Sequence, residues 1–422
     1  MNYIRTEICP GVKLTCVNSD KHKTDVMFIN FILPLTAVGA TSLTLLSKVL
    51  VRGTASYPDF RALATACEDN YSCGIDVFTV KKGETLTLSF SVSCLKNKYA
   101  LNGEDIFTQS LRILGEIIFS PYMPGGCFFN DYVNREKDAM REQILSLANN
   151  KPAYAMRRAI SLMCGNEPYA IPAYGDLDTL EKLDNERLTQ IFKTVTASSP
   201  VEIIFTGDYE IAPLIEKINY CLPFSQRKYA LPGVLVAEKA AEIKTYTEKA
   251  DASQSTLVLG FRTGGKPAEE DFTAFTVFNE IYAQSPISKL YMNVRERLSL
   301  CYYCNSLSDR LKGIMTVSAG IDGNTYAKAK KAILKELEAV KKGNITDNEY
   351  KSAVRSAVSA YREIDDLPGQ ICSYYFSRII QGGIFTPEEE IERLNALTVE
   401  QVVNTANNIT LDTVFLLEGM LE

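Results

Sequence analysis

Leu180-Glu-Lys-Leu183-Asp-Asn-Glu-Arg-Leu188-Thr-Gln-Ile191-Phe192 sets its apolar residues at steps of 3, 5, 3 and 1. About 211 residues later, Ile391, Leu394, Val399, Val402 and Val403 repeat those steps. Both sets are helix-like in period. Each leads to an apolar strand that closes on glycine, Val201-Glu-Ile-Ile-Phe-Thr-Gly207 and Thr413-Val-Phe-Leu-Leu-Glu-Gly419. Either agreement alone could be chance, but both at nearly one offset predict a duplicated unit.

The front of each half corresponds as well. Asp25-Val-Met-Phe-Ile-Asn-Phe-Ile32 and Ser255-Thr-Leu-Val-Leu-Gly-Phe-Arg262 read as buried strands, each before a helical stretch at about 41–51 and about 270–283. A second helix and a β-rich segment follow: Asp76-Val-Phe-Thr-Val leading to Leu86-Thr-Leu-Ser-Phe-Ser-Val92, and Cys301-Tyr-Tyr-Cys-Asn leading to Met315-Thr-Val-Ser-Ala. Strand pairs followed by grouped helices predict an α+β protein of two homologous domains, each a mainly antiparallel sheet with helices packed on one face. The spacer at 221–245, with Pro223, Pro232 and Gly233, reads as an exposed linker and sets the domains at 1–225 and 226–422. Local signals are sharp. Ile333, Leu334, Leu337 and Val340 form one stripe of a helix over 326–342 that stops at Gly343. Thr346-Asp-Asn-Glu349 is a capping box that opens the next helix.

Composition bounds the function. With 422 residues and 46% hydrophobic content, the chain exceeds one ordinary core and suits two. A net charge of −6 and a pI near 5.3 argue against a nucleic-acid partner, which calls for a concentrated basic patch. No apolar run approaches the roughly 20 residues of a membrane span. The first residues show no basic-then-apolar pattern, so no signal peptide is expected. Eleven scattered cysteines, mostly in apolar segments, read as buried thiols in a reducing compartment, and the expected location is cytoplasmic. The single histidine, His22, lies in Ser19-Asp-Lys-His-Lys23, read as an exposed hairpin turn. One histidine cannot build a two-histidine metal site, and nothing near it supports a Ser-His-Asp or Cys-His centre.

A helix ending in Gly53-Thr54 after two strands, and a later Arg295-Glu296 followed by Leu300-Cys-Tyr302, give the chain its family likeness. It resembles the pitrilysin/insulinase (inverzincin) zinc metallopeptidases, and within them the two-domain processing-peptidase branch. The likeness covers nearly the whole chain and is most specific at 43–54, 121–144, 285–302 and 333–354. The family's helix carries His-x-x-Glu-His, two zinc ligands on one face with a general base beside them. Counted back from Gly53-Thr54, those positions are Thr44, Ser47 and Lys48, and Glu142 matches the third-ligand position. Threonine is a poor zinc ligand, serine no carboxylate base, and an ammonium repels a dication. The resemblance therefore implies a member without its zinc motif, which binds no cofactor itself and is inactive alone.

The family's Arg and Tyr, seven residues apart, hold the scissile peptide and stabilise charge on its carbonyl oxygen. Arg295 and Tyr302 keep that spacing. By resemblance, the chain is the non-catalytic subunit of a heterodimeric metallopeptidase. It would bind a peptide or small protein segment and supply Arg295 and Tyr302 in trans to an active homologous subunit that holds the zinc. The alternative is a peptidase-derived scaffold or maturation factor with no part in proteolysis.

Three further signals read as structural. Cys301-Tyr-Tyr-Cys304 has C-x-x-C spacing, but on a strand its thiols would point to opposite faces. Gly264-Gly265-Lys266 lacks the rest of a phosphate loop and reads as a turn. Glu363, Asp365 and Asp366 read as solvated surface.

Overall fold

The computed structural model describes residues 2–265 and 272–420. Lys266 of the Gly264-Gly265-Lys266 turn and the first two positions of the helix expected at about 270–283 lie outside the described residues. Strands β1 (Tyr3–Cys9), β2 (Val12–Asn18), β3 (Thr24–Pro34), β4 (Gly74–Lys82), β5 (Thr85–Leu95) and β6 (Val201–Gly207) form one sheet in the order β1-β2-β6-β3-β5-β4. Strands β7 (Lys244–Ala250), β8 (Ser255–Arg262), β9 (Tyr303–Asp309), β10 (Ile314–Ile321) and β11 (Thr410–Gly419) form the other, β7-β11-β8-β10-β9. Each is antiparallel except for one parallel pair, β2 with β6 and β7 with β11. The expected α+β class with two mainly antiparallel sheets is observed.

The period of two along each strand decides what each face meets. In the first sheet Met27, Ile29 and Phe31, with Leu86, Leu88 and Phe90, and Val201, Ile203 and Phe205, face the core filled by helices Ala37–Val49 and Ile106–Phe119. The interleaved Asn30, Ser89 and Glu202 are equally buried on the opposite face, and they are paired there. Asn30 Nδ2 donates to the Glu202 carbonyl at 3.1 Å, Ser89 Oγ to Asn30 Oδ1 at 2.8 Å, and the Arg5 guanidinium grips the Glu202 carboxylate at 2.8 and 2.7 Å. In the second sheet Leu257, Leu259, Phe261, Met315 and Val317 face the core with Ile333, Leu337 and Val340 of helix Tyr326–Lys341. That helix ends at Gly343, whose φ of 73° suits a left-handed stop, and the Thr346–Glu349 capping box forms.

Two local readings need correction. His22 does not sit in a hairpin: β6 lies between β2 and β3, parallel to the one and antiparallel to the other, so the segment is a crossover and His22 is half-buried. Each repeated apolar set is two helices, not one. The breaks fall at the step of five, between Leu177–Lys182 and Asn185–Ser198 and between Pro387–Ala396 and Val399–Asn408. A five-residue step falls out of the 3.6 period, and Asp184 and Thr398 use it to cap the second helix of each pair.

The chain forms two compact units that are not simple halves. The first takes residues up to Leu145, Ile171–Gly233 and Ile364–Ile380; the second takes Ser146–Ala170, Val234–Glu363 and the chain from Gln381. Within the second unit, helix Lys151–Cys164 lies on the face of β8 and β11 away from the main core, where Ala155 and Ala159 meet Val258, Phe415 and Leu417. Within the first, helix Pro368–Ile380 covers β3 and β6, and Cys372 Sγ donates to the Ile204 carbonyl at 3.6 Å. Each half of the sequence thus lends one helix to the other's sheet. All eleven cysteines are free thiols. No helix among the described residues is long and apolar enough to cross a membrane.

Candidate functional site

Thr36 starts the helix Ala37–Val49, its hydroxyl accepting from the Gly39 N–H at 3.0 Å. Ala40, Leu43, Leu46 and Val49 turn to the core, leaving Thr44, Ser47, Lys48 and Val51 as a stripe at i, i+3, i+4 and i+7. That stripe forms one wall of a cavity of about 600 Å³. Phe60, Val77 and Phe78 make the apolar side, and Arg52 and Glu136 supply charge. The Gly53-Thr54 ending is a packing device. A Cβ on Gly53 would stand 2.6 Å from the Pro58 carbonyl oxygen, and Thr54 is buried with its hydroxyl accepting from the Tyr57 N–H at 3.0 Å.

The side chains at the motif positions are occupied with the backbone. Thr44 Oγ1 donates to the Ala173 carbonyl at 3.4 Å and Ser47 Oγ to the Thr44 carbonyl at 2.9 Å. Glu142 is exposed and lies outside the lining; Glu136 and Gln143, on the same helix Asn130–Ser146, line the cavity instead. Glu136, Met140 and Gln143 share a helix face, whereas Glu142 lies about 120° round from Glu136. Helical register was the signal for Glu136, and counting along the family pattern passed over it. Its carboxylate is already engaged, accepting from Arg52 Nε at 2.6 Å. A threonine, a serine, an ammonium and a carboxylate tied to a guanidinium do not fit zinc. Among the described residues, no group of three or more His, Cys, Asp or Glu is placed to hold a metal.

The second unit brings Arg295 and Tyr302 together. They line a cavity of about 310 Å³ with Glu296, Ser299, Leu300, Cys301 and Asp322. Arg295 stands at the end of the helical segment Leu290–Arg297, its guanidinium 4.7 Å from the centre of the Tyr291 ring and 3.6 Å from Glu296. Ser299, at φ 50°, turns the chain back toward β9. Tyr302 is 55% exposed and its hydroxyl donates to Asp322 Oδ1 at 3.1 Å, a bond that raises the phenol's pKa. Asp322 was not foreseen as a neighbour of this pair. It reaches Tyr302 through the pairing of β9 with β10, whereas Cys301 adjoins Tyr302 in the chain.

Residues 182–357 match the family described as the peptidase M16 inactive domain. The chain is 26% identical over 412 residues to the probable inactive metalloprotease YmfF of Bacillus subtilis (strain 168), covering 97% of this chain and 96% of that protein. The chain is a homologue of the M16 peptidases. It lacks the zinc motif, in keeping with the pitrilysin-type likeness read from the Gly53-Thr54 helix. The chain also superposes on the crystal structure of a conserved protein from Enterococcus faecalis V583, with TM-score 0.93, 28% identity and full coverage of both chains. A peptidase M16 inactive domain from Pseudomonas fluorescens shares the fold at TM-score 0.79 and 18% identity, over 100% of this chain and 99% of that one. The chain is thus an inactive-M16 homologue, consistent with a non-catalytic, peptidase-derived protein.

Proposed function

We propose that this M16 homologue is the non-catalytic subunit of a heterodimeric zinc metallopeptidase. It binds peptide and presents Arg295 and Tyr302 to the zinc site of an active homologous subunit. The observation that carries this reading is their shared, open cavity in a chain whose motif helix has lost its metal donors. A guanidinium and a phenol hydroxyl fixed a few residues apart are donors suited to an oxyanion developing on a scissile carbonyl. The first sheet offers a place for substrate. Among the described residues β4 pairs only with β5, so its outer edge is open to an extended peptide, and Val77 and Phe78 of that strand wall the neighbouring cavity.

The test is co-expression with a homologue from the same cell that keeps His-x-x-Glu-His. A zinc-containing complex with peptidase activity is expected. Arg295→Ala and Tyr302→Phe should each lower kcat/KM by roughly 10²–10³-fold, as loss of one oxyanion donor does, with zinc content and complex stability unchanged. Undiminished activity in both variants, or no complex, would sink the trans-acting reading and leave the scaffold role.

A further inference from the structure

Lys48 lies half-buried on the stripe of the motif helix that walls the cavity of about 600 Å³ in the first unit, beside Thr44 and Ser47. Among the described residues, the charged side chains lining this cavity are Lys48, Arg52 and Glu136. Arg52 and Glu136 cancel, since Arg52 Nε donates to the buried Glu136 carboxylate at 2.6 Å. No hydrogen bond or ion pair engages the Lys48 ammonium among the described residues. The cavity therefore carries one uncompensated positive charge on a helix. The side chain that excludes a dication invites an anion.

Its surroundings select which anion. Thr44 and Ser47 give their hydroxyl hydrogens to the carbonyls of Ala173 and Thr44, at 3.4 and 2.9 Å, so each oxygen keeps lone pairs for an N–H. Val51, Phe60, Val77 and Phe78 add an apolar wall. A bare inorganic anion would use neither the acceptors nor that wall. A carboxylate joined to an amide N–H and an apolar chain uses all three. Val77, Phe78 and Thr79 belong to β4, which among the described residues pairs only with β5. An extended chain added to the free edge of β4 thus runs past the cavity.

We propose that the altered motif is a carboxylate pocket, in which Lys48 pairs with a carboxylate of a peptide laid along β4. That carboxylate comes either from the peptide's C-terminus or from an aspartate or glutamate side chain. The ammonium supplies a charge-assisted hydrogen bond, and a half-buried pair is screened less by salt than one on an open surface. A basic side chain at the same place meets like charge and is rejected. The pocket rests on the peptide-binding role inferred above, but it requires neither a partner's zinc nor Arg295 and Tyr302.

Three short peptides of one uncharged, N-acetylated sequence are titrated into the full-length chain by calorimetry. One ends in a free carboxylate, one is amidated and carries a single central glutamate, and one is amidated with no acidic residue. At least one carboxylate peptide should bind roughly tenfold or more tightly than the neutral one, as a hydrogen bond to a charged group provides. The peptide that does so identifies the source of the carboxylate. Lys48→Met and Lys48→Gln should bring all three to the affinity of the neutral peptide, and Lys48→Arg should keep the preference. Equal affinities in the wild type overturn the pocket and leave peptide binding intact. A preference that survives in either uncharged variant, folded by its melting transition, overturns it too. Binding of none of the peptides overturns both the pocket and docking along β4, while the co-expression test of Arg295 and Tyr302 keeps its own outcome. The wild-type comparison can refute the idea even where a variant fails to fold.

Discussion

Asp25 opens β3 almost fully buried, and neither carboxylate oxygen has a hydrogen-bond partner in the protein. Burial pushes its pKa up to about 6, with the Lys96 ammonium pulling the other way. Because the folded value lies above the unfolded one, the group favours the fold at pH below about 4 and loses that contribution as pH rises through 6. Against an ordinary value of 3.8, that corresponds to roughly 3 kcal/mol carried as a cost at neutral pH. Asp25→Asn should therefore raise stability by up to about that amount at pH 7–8 and change it little at pH 4. Urea melts of both proteins across that range check it; equal curves at every pH would refute it. A second residue-scale expectation concerns Gly53, whose added Cβ would press on the Pro58 carbonyl. Gly53→Ala should cost about 1–3 kcal/mol, as overpacking does, measurable as a lower denaturant midpoint.

At the scale of elements, the lent helix Lys151–Cys164 is fastened by charge as well as by its alanines. Arg262 donates to Asp412 at 2.8 Å, to Glu167 at 2.8 Å and to the Met163 carbonyl at 3.2 Å, while Lys312, fully buried, pairs with Glu167 and the Leu235 carbonyl. Burial would raise the Glu167 pKa, but the hydrogen bonds from Arg262 and Lys312 hold it below the usual carboxylate value. Removing one member leaves buried charge without a partner, which typically costs 3–5 kcal/mol. Arg262→Ala should destabilise the second unit by about that amount and speed hydrogen exchange in Lys151–Cys164 more than in β10. Exchange that rises equally in both would show that the network does not fasten the helix. Much of the element layer was legible beforehand. The strand at Ser255–Arg262, the stop at Gly343 and the Thr346–Glu349 box were read from local pattern and stand as read. Arg262 was read only as the last residue of a strand, because its partners come from residues 163, 167 and 412 and sequence distance hides them.

At the scale of the molecule, exchange of helices makes the sequence halves depend on each other. Ile371, Tyr375 and Phe376 of Pro368–Ile380 are buried on the first unit. At about 1.5–3 kcal/mol for each fully buried large apolar side chain, their loss rivals the stability of a whole domain. A fragment of residues 1–233 should therefore show no cooperative melt alone and gain one when a peptide of residues 364–380 is added. A fragment that melts cooperatively without the peptide would contradict this. Repeated apolar steps, strand alternation and glycine endings determined the duplicated α+β plan, because each is a short-range pattern set by backbone period. The same sequence showed that no histidine occupies the motif positions, and a missing side chain needs no fold to be seen. Tertiary structure alone decided that β6 parts β2 from β3 and which helix covers which sheet. Each of those depends on where a chain that has left one element returns in space. Many long-range contacts decide that together, and no window of sequence contains them.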